Sequence, residues 1–316
     1  MGNIFIIGAA GKMGKWFFEY FYNIKYKSNS IENINDLSVG KIFLYDIKEI
    51  EYSSSYKDVD IIIANSISES IKLSDVVIFC TPVNEIINII NTNADFFRSR
   101  SILIEISSVK STIHRILSDI STDRDIVTLC IHPMFGPGAS TVISTNKIIS
   151  IPVNKNKSKL EKDIFNKIFP NFNKILIENP EKHDLAISVV ISLIYFINLV
   201  FSKFLVELSD SKEFKFEDNL MEFFKKISGS TFKIQSLLSE SILTDDVSLF
   251  LTLFINNDKS IITIKKYHQL FNNLLDKIEK KDQEFIKKYV LSTRNDIKKD
   301  IDINRSYEML YKFLNS

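Results

Sequence analysis

Cysteine is nearly absent, with Cys80 and Cys130 the only two in 316 residues. No C-x-x-C spacing joins them and few histidines accompany them, which excludes a zinc site of the usual spacing. Each ends an apolar, strand-like run, so both are expected as reduced core thiols of a cytoplasmic protein. Charge of one sign is lacking too: 40 Lys and Arg stand against 39 Asp and Glu. That balance excludes the basic footprint of a nucleic-acid binder, and no nucleic-acid partner is expected. No charged and apolar leader precedes Ile4, so no signal peptide is expected. Long uncharged runs are scarce. Residues 185–202 make one of 18 residues, the lower limit for crossing a bilayer. Within it Ser188, Ser192, Tyr195, Asn198 and Ser202 recur every three or four positions as a polar stripe. Such a helix suits a protein interior with one face on a polar cavity, and no membrane partner is expected. Internal repeats and low-complexity tracts are also missing, and the chain is long enough for two domains.

What is present begins with Asn3-Ile4-Phe5-Ile6-Ile7, an apolar run that stops at Gly8-Ala9-Ala10-Gly11-Lys12-Met13-Gly14. Trp16, Phe17, Tyr20, Phe21 and Ile24 then keep helical spacing. Strand, glycine turn and helix are the context of a dinucleotide fingerprint, here spaced G-x-x-G-x-x-G. The glycines let the backbone approach a pyrophosphate, whose charge the N–H groups at the helix start bind. Gly8, Ala10, Gly11, Lys12, Met13 and Gly14 are therefore the candidate cradle. Asp46 directly follows a second strand at 41–45. An acid there accepts the ribose hydroxyls of NAD and repels the 2′-phosphate of NADP. Lys48 is the competing feature, because a base just past the strand could receive that phosphate. Asp46 lies farther from Gly14 than the roughly 20 residues usual for this motif. The surplus is assigned to a surface insertion in the polar stretch 27–38.

Further strands at 60–64, 75–80, 101–106, 126–131, 147–153 and 175–177 mostly alternate with helix-length segments. This predicts a doubly wound, mostly parallel Rossmann-like sheet, with ligands at the carboxyl ends of its strands. Three turns meet there: Thr81-Pro82-Val83, Ser107-Ser108-Val109-Lys110, and the loop that opens at His132. Thr81 and Pro82 join the cofactor candidates. His132 is expected to emerge at a strand's end. Pro133, Gly136, Pro137 and Gly138 cannot continue a ladder and would stiffen the loop around it. A structural hydrogen bond would equally account for a lone strand-end histidine. Ser107 and Ser108 could simply cap the next helix. Lys110, in that helix's first turn, opposes the helix dipole unless an anion is near. Past 177 every periodic segment is helical, so a dinucleotide-binding domain at 1–178 and an all-helical domain at 179–316 are expected. The apolar faces of the helical half suggest an intertwined dimer. His114 and His268 read as core-filling or solvated, and the charge run 277–288 as a solvated helix face.

The glycine turn with Gly14-Lys15-Trp16-Phe17, Asp46, Ser-Ser-Val-Lys at 107–110, His-Pro-Met-Phe-Gly-Pro at 132–137 and Pro-Glu-Lys-His-Asp at 180–184 occur in this order. With them the chain resembles the prephenate dehydrogenases of tyrosine biosynthesis, the TyrA family, and especially its archaeal branch, over most of its length. The resemblance implies NAD-dependent oxidative decarboxylation of prephenate to 4-hydroxyphenylpyruvate by a cytoplasmic homodimer. It also implies a Rossmann-like domain followed by a helical dimerisation domain, with no metal. His132 matches the catalytic histidine, which helps take the proton of the substrate's ring hydroxyl as hydride leaves the same carbon. Ser108 and Lys110 match an active-site turn whose hydroxyl and ammonium serve a dicarboxylate substrate, with Ser107 beside them. His183 and Asp184 match a pair expected to be mainly architectural. Two positions depart from the pattern. Tyr195 stands where relatives tend to keep an imidazole, and Glu240 aligns with a carboxylate-clamping arginine. An acid cannot clamp a carboxylate, so Lys233 or another cation is expected to replace it. Arogenate as substrate, another NAD(P)-dependent oxidoreductase of the β-hydroxyacid dehydrogenase type, and a catalytically silent dinucleotide-binding protein are the competing readings.

Overall fold

Eight short apolar runs pair into one sheet in the computed structural model, which describes residues 2–26, 38–51, 56, 60–141, 146–209, 211, 219–299 and 302–314. The strands are β1 (Ile4–Ile7), β2 (Ile42–Tyr45), β3 (Ile61–Ile63), β4 (Val76–Phe79), β5 (Ile102–Glu105), β6 (Val127–Pro133), β7 (Lys147–Ile151) and β8 (Asn173–Leu176). They lie in the order β3-β2-β1-β4-β5-β6-β7-β8. Every neighbouring pair is parallel except β6 with β7. β1 and β4 are buried on both faces, which is why they read as unbroken apolar runs without alternation. Ile4 and Ile6 face one core with Trp16, Phe17 and Phe21 of α1 (Lys12–Tyr26) and Phe165 of α5 (Ser158–Ile168). Phe5 and Ile7 face the other, with Ile86 and Ile90 of α3 (Val83–Asn93) and Ile113 and Leu117 of α4 (Ser111–Asp123). The short α2 (Ile67–Leu73) leads into β4. The expected insertion at 27–38 lies, apart from Ser38, outside the described residues.

β6 departs from the sequence reading. It runs through His132 to Pro133, with His132 opposite Ile149 and Pro133 opposite Ile148 of β7. A proline is tolerated there because of what each side of the strand meets. Val127 N–H bonds Ser101 on the β5 side, whereas Met134 N–H bonds Lys147 on the β7 side. Odd-numbered residues of β6 thus face β5, whose register ends with Glu105 opposite Cys130. The nitrogen of Pro133 therefore faces no strand, and its missing N–H breaks no bond. Both cysteines are free thiols, with Cys130 buried and Cys80 half-buried.

The chain divides into two compact units, Met1–Ala186 and Ile187–Ser316. α6 (Pro180–Ile187) closes the first. The second starts with a π-helical turn, Ser188–Leu193, and continues through α7 (Ile194–Ser209), α8 (Leu220–Ile227), α9 (Ser230–Leu243), α10 (Val247–Phe254), α11 (Asp258–Glu279), α12 (Gln283–Lys298) and α13 (Ser306–Leu314). Among the described residues the polar stripe bonds to neighbouring helices. Ser188 Oγ lies 2.7 Å from Thr263 Oγ1, and Asn198 Oδ1 accepts from Gln235 and Ser239, both at 2.7 Å. The apolar side points outward instead, exposing Val189, Val190, Val200 and Phe204. Periodicity gives a helix two faces but does not say which is covered. The continuous helix Pro180–Ser209 contains an 18-residue window of mean hydropathy 2.3, 22% of it buried, and is long and apolar enough to cross a membrane.

Candidate active site

At the carboxyl end of β1 the chain must turn sharply, and two glycines make that possible. Gly8 has φ +87°, and a Cβ there would sit 2.5 Å from Cys80 O. A Cβ on Gly14 would sit 2.1 Å from Gly8 O, so α1 can start this close to the strand only without a side chain at that position. Asp46, just beyond β2, accepts from Ala10 N–H through Oδ2 and from Lys48 N–H through Oδ1, both at 2.9 Å. The acid is thus pinned to the turn with lone pairs to spare for further donors. Thr81 follows β4 and lies against Gly8; its hydroxyl is buried without a partner among the described residues. A glycine cradle at a helix start, an anchored acid and an orphaned hydroxyl fit a dinucleotide.

β5 and β6 come next in the sheet, and at their carboxyl ends a buried polar cluster forms. His132 Nδ1 lies 3.0 Å from His183 Nε2, and His183 Nδ1 lies 2.9 Å from Asp184 Oδ1. His183 and Asp184 come from α6 and are fully or nearly buried. Their expected architectural role is too narrow, because they extend the catalytic candidate into a three-residue chain. Asp184 also accepts from Lys110 N–H and Ser111 N–H, each at 2.8 Å, and from Ser111 Oγ at 2.5 Å. A carboxylate at a helix N-terminus satisfies its orphan donors and complements its dipole. α4 is therefore capped by Asp184, and Ser108 is not its cap. Burial would raise the Asp184 carboxyl, but hydrogen bonds from His183, Ser111 and Lys110 outweigh it and hold it below the ordinary range. Burial lowers His183, and the Lys110 cation adds to this against the Asp184 bond. Burial first, then Lys110 and His183, holds His132 well below the ordinary imidazole value.

Lys110 corrects the sequence reading most. Its side chain is 0% exposed, with Nζ 2.8 Å from Glu105 Oε2 and 2.5 Å from Ile131 O. The Ile131 carbonyl lies just beyond the last residue of β5 in register, so the ammonium takes the place of the missing strand. Lys110 is turned inward and is not presented to a ligand, contrary to the substrate contact expected of it. Glu105, which also accepts from Ser107 N–H, is the nearby anion that makes a lysine acceptable at this helix's N-terminus. Sequence reasoning passed over Glu105; its only signal is an acid closing an apolar run. Ser107 Oγ is spent on Val109 O at 2.9 Å, whereas half-buried Ser108 has no hydroxyl partner among the described residues.

The loop after His132 is fastened to α1. Trp16 Nε1 donates to Ala139 O at 2.8 Å, and its ring lies 4.8 Å from that of Phe135. Tyr20 stacks on Trp16 at 5.4 Å and donates its hydroxyl to Ile168 O at 2.5 Å. Two motifs far apart in sequence thus become one support, joining the cofactor turn to the histidine loop. In the second unit Tyr195 donates to Asp245 at 2.6 Å, and burial followed by this bond raises its pKa. Lys233 is exposed on α9. Glu240 pairs with Lys225 at 2.6 Å and accepts from Ser236 at 2.9 Å. The bond from Lys225, then that from Ser236, lowers its pKa.

Sheet order, glycine turn and anchored acid define a Rossmann-like nucleotide-binding protein. Residues 36–160 match the family described as "Prephenate dehydrogenase, nucleotide-binding domain". Over 295 residues the chain is 27% identical to a "Probable arogenate/prephenate dehydrogenase" of Methanocaldococcus jannaschii, covering 90% of this chain and 58% of that protein. It therefore spans little more than half of that relative. Prephenate dehydrogenase from Aquifex aeolicus, solved with hydroxyphenyl propionate and NAD+, has the same fold at a TM-score of 0.69 and 20% identity, covering 95% of this chain and 98% of that one. Synechocystis arogenate dehydrogenase follows at 0.61 and 13%, covering 95% and 100%. Both the family match over residues 36–160 and the curated relative carry the name of the family whose motifs the sequence resembles.

Proposed function

We propose that this chain catalyses the NAD-dependent oxidative decarboxylation of prephenate to 4-hydroxyphenylpyruvate. The observation that carries the reading is His132. It sits at the carboxyl end of β6 with Nδ1 engaged by His183 and no partner for Nε2 among the described residues. The turn at Gly8 to Gly14, with Asp46 and Thr81, would hold NAD, which when bound supplies the hydride acceptor. His132, kept neutral by burial and by Lys110, takes the proton of the substrate's ring hydroxyl as the hydrogen on the same carbon departs as hydride. The ring carbonyl then forms. The bond to the ring carboxylate breaks next, CO2 leaves, and its electron pair enters the ring as a phenolate. His132 returns its proton to that oxygen, so no net proton is released. Ser108, whose hydroxyl has no partner among the described residues, is the turn residue left to serve the substrate.

The deciding experiment is NADH formation by the purified protein with NAD and either prephenate or arogenate. Turnover with neither, in protein that binds NAD, would sink the reading. Arogenate is a second reading with an observation of its own: Glu240 is an acid where the family motif implies an arginine, and an acid suits an ammonium better than a carboxylate. Asp46 makes a further claim. Asp46→Ser should weaken NAD far more than NADP, because it removes ribose acceptors and also relieves repulsion of the 2′-phosphate. Equal losses in titrations with both dinucleotides would refute it.

The outward apolar face of the helix Pro180–Ser209 supports a homodimer in which a second copy covers Val189, Val190, Val200 and Phe204. Contiguous exposed apolar faces mark interaction surfaces. Sedimentation should give twice the 36.5 kDa chain mass. A monomer that partitions onto lipid vesicles would overturn this assembly and favour a membrane.

A further inference from the structure

We propose that Asp184 and His183 are positioning residues, forming a relay that commits Nε2 of His132 as the base. This rests on the dehydrogenase reading for its purpose, but not for its geometry. Each proton in the chain follows from the one below it. Asp184 accepts hydrogen bonds from Lys110 N–H, Ser111 N–H, Ser111 Oγ and His183 Nδ1. As a carboxylate it can only accept, so His183 must carry its proton on Nδ1. Neutral His183 then presents a bare Nε2 to His132, 3.0 Å away. His132 must in turn carry its proton on Nδ1, and its Nε2 lone pair is left for the substrate. Reversing any member reverses those above it.

The relay also bears on the charge that His132 gains. When Nε2 takes the ring hydroxyl proton, the imidazolium still donates Nδ1–H to His183, whose own Nδ1–H points at an anion. That arrangement stabilises the cation through two hydrogen bonds. The charged groups that act on the two rings are Lys110 from the start of α4, Glu105 from β5 and Asp184 from α6. Lys110 opposes the imidazolium, and the relay offsets it. The base is thus neutral at rest without becoming too weak to hold a proton briefly.

Tautomers can be read directly by nuclear magnetic resonance of the full chain carrying 15N-histidine. With four histidines in all, single replacements assign every signal. At neutral pH His132 and His183 are both expected to be protonated on Nδ1 and bare on Nε2. His132 protonated on Nε2 would overturn the relay outright. Asp184→Ala should mix the His132 tautomers and lower kcat on the order of 10²-fold, with KM for the substrate little changed. His183→Gln can still accept from His132 Nδ1–H through its amide oxygen, so it should recover most of the rate lost in His183→Leu. Equal rates in those two variants would reject the positioning role even if Asp184→Ala failed to fold. The resting spectrum needs no substrate. Correct tautomers without NADH formation would therefore sink the reaction and leave the relay, whereas NADH formation with reversed tautomers would sink the relay alone.

Discussion

His132→Asn is expected to slow NADH formation by roughly 10²- to 10⁴-fold, the range typical of a lost general base. Asparagine is the informative replacement because its amide can still donate to His183 Nε2, 3.0 Å from Nδ1 in the parent. The lower part of the site keeps its hydrogen bonds, while the atom facing substrate is lost. NAD affinity should be unchanged, since the glycine turn and Asp46 follow β1 and β2 and make no hydrogen bond with His132. Trp16, the single tryptophan, stands two residues past Gly14, so its fluorescence offers a direct titration of the dinucleotide. The outcome to look for is a large fall in kcat with the same NAD titration curve. Near-parental turnover would remove His132 from the chemistry. A parallel loss of NAD binding would mean instead that the loop fastened by Trp16 had moved.

The parts of this site that were legible in the sequence are those whose partners are local. Gly8 to Gly14 and Asp46 announce themselves through a strand, a turn and a helix start, and the apolar runs on either side locate the sheet. The parts that were not legible depend on register and on distant chain. Nothing near Lys110 says that β5 ends opposite Cys130, leaving the Ile131 carbonyl for an ammonium to take. A lysine beside serines therefore reads as a ligand for an anionic substrate when its anion is Glu105. Likewise the cap of α4 comes from Asp184, 74 residues away, and no local pattern competes with Ser108 for that task. Pro133 was excluded from β6 by a rule that holds only where the neighbouring strand is present. The stripe from Ser188 to Asn198 has a period that defines two faces, but which one is covered depends on the helices around it.

Lys110→Met is expected to destabilise the first unit by about 3–5 kcal/mol, because it leaves Glu105 buried and charged without its cation. Loss of the Ile131 carbonyl's donor adds a further cost of about 1–3 kcal/mol. Pairing the change with Glu105→Gln should recover the larger part. The neutral amide keeps its oxygen for Ser107 N–H and removes the stranded charge, leaving mainly the carbonyl unsatisfied. Denaturant melts of the two single variants and the double variant close the cycle; additive losses would show that the ion pair is not coupled. The double variant also decides how Lys110 acts on the reaction. Of the pair, the cation is the one that lowers His132. Removing it lets the imidazole pKa rise, and the acid limb of kcat/KM should move to higher pH. A lysine that bound substrate carboxylate would instead raise KM and leave that limb in place. An unmoved limb with a raised KM would return Lys110 to the substrate and require its side chain to leave the interior position it holds beside Glu105.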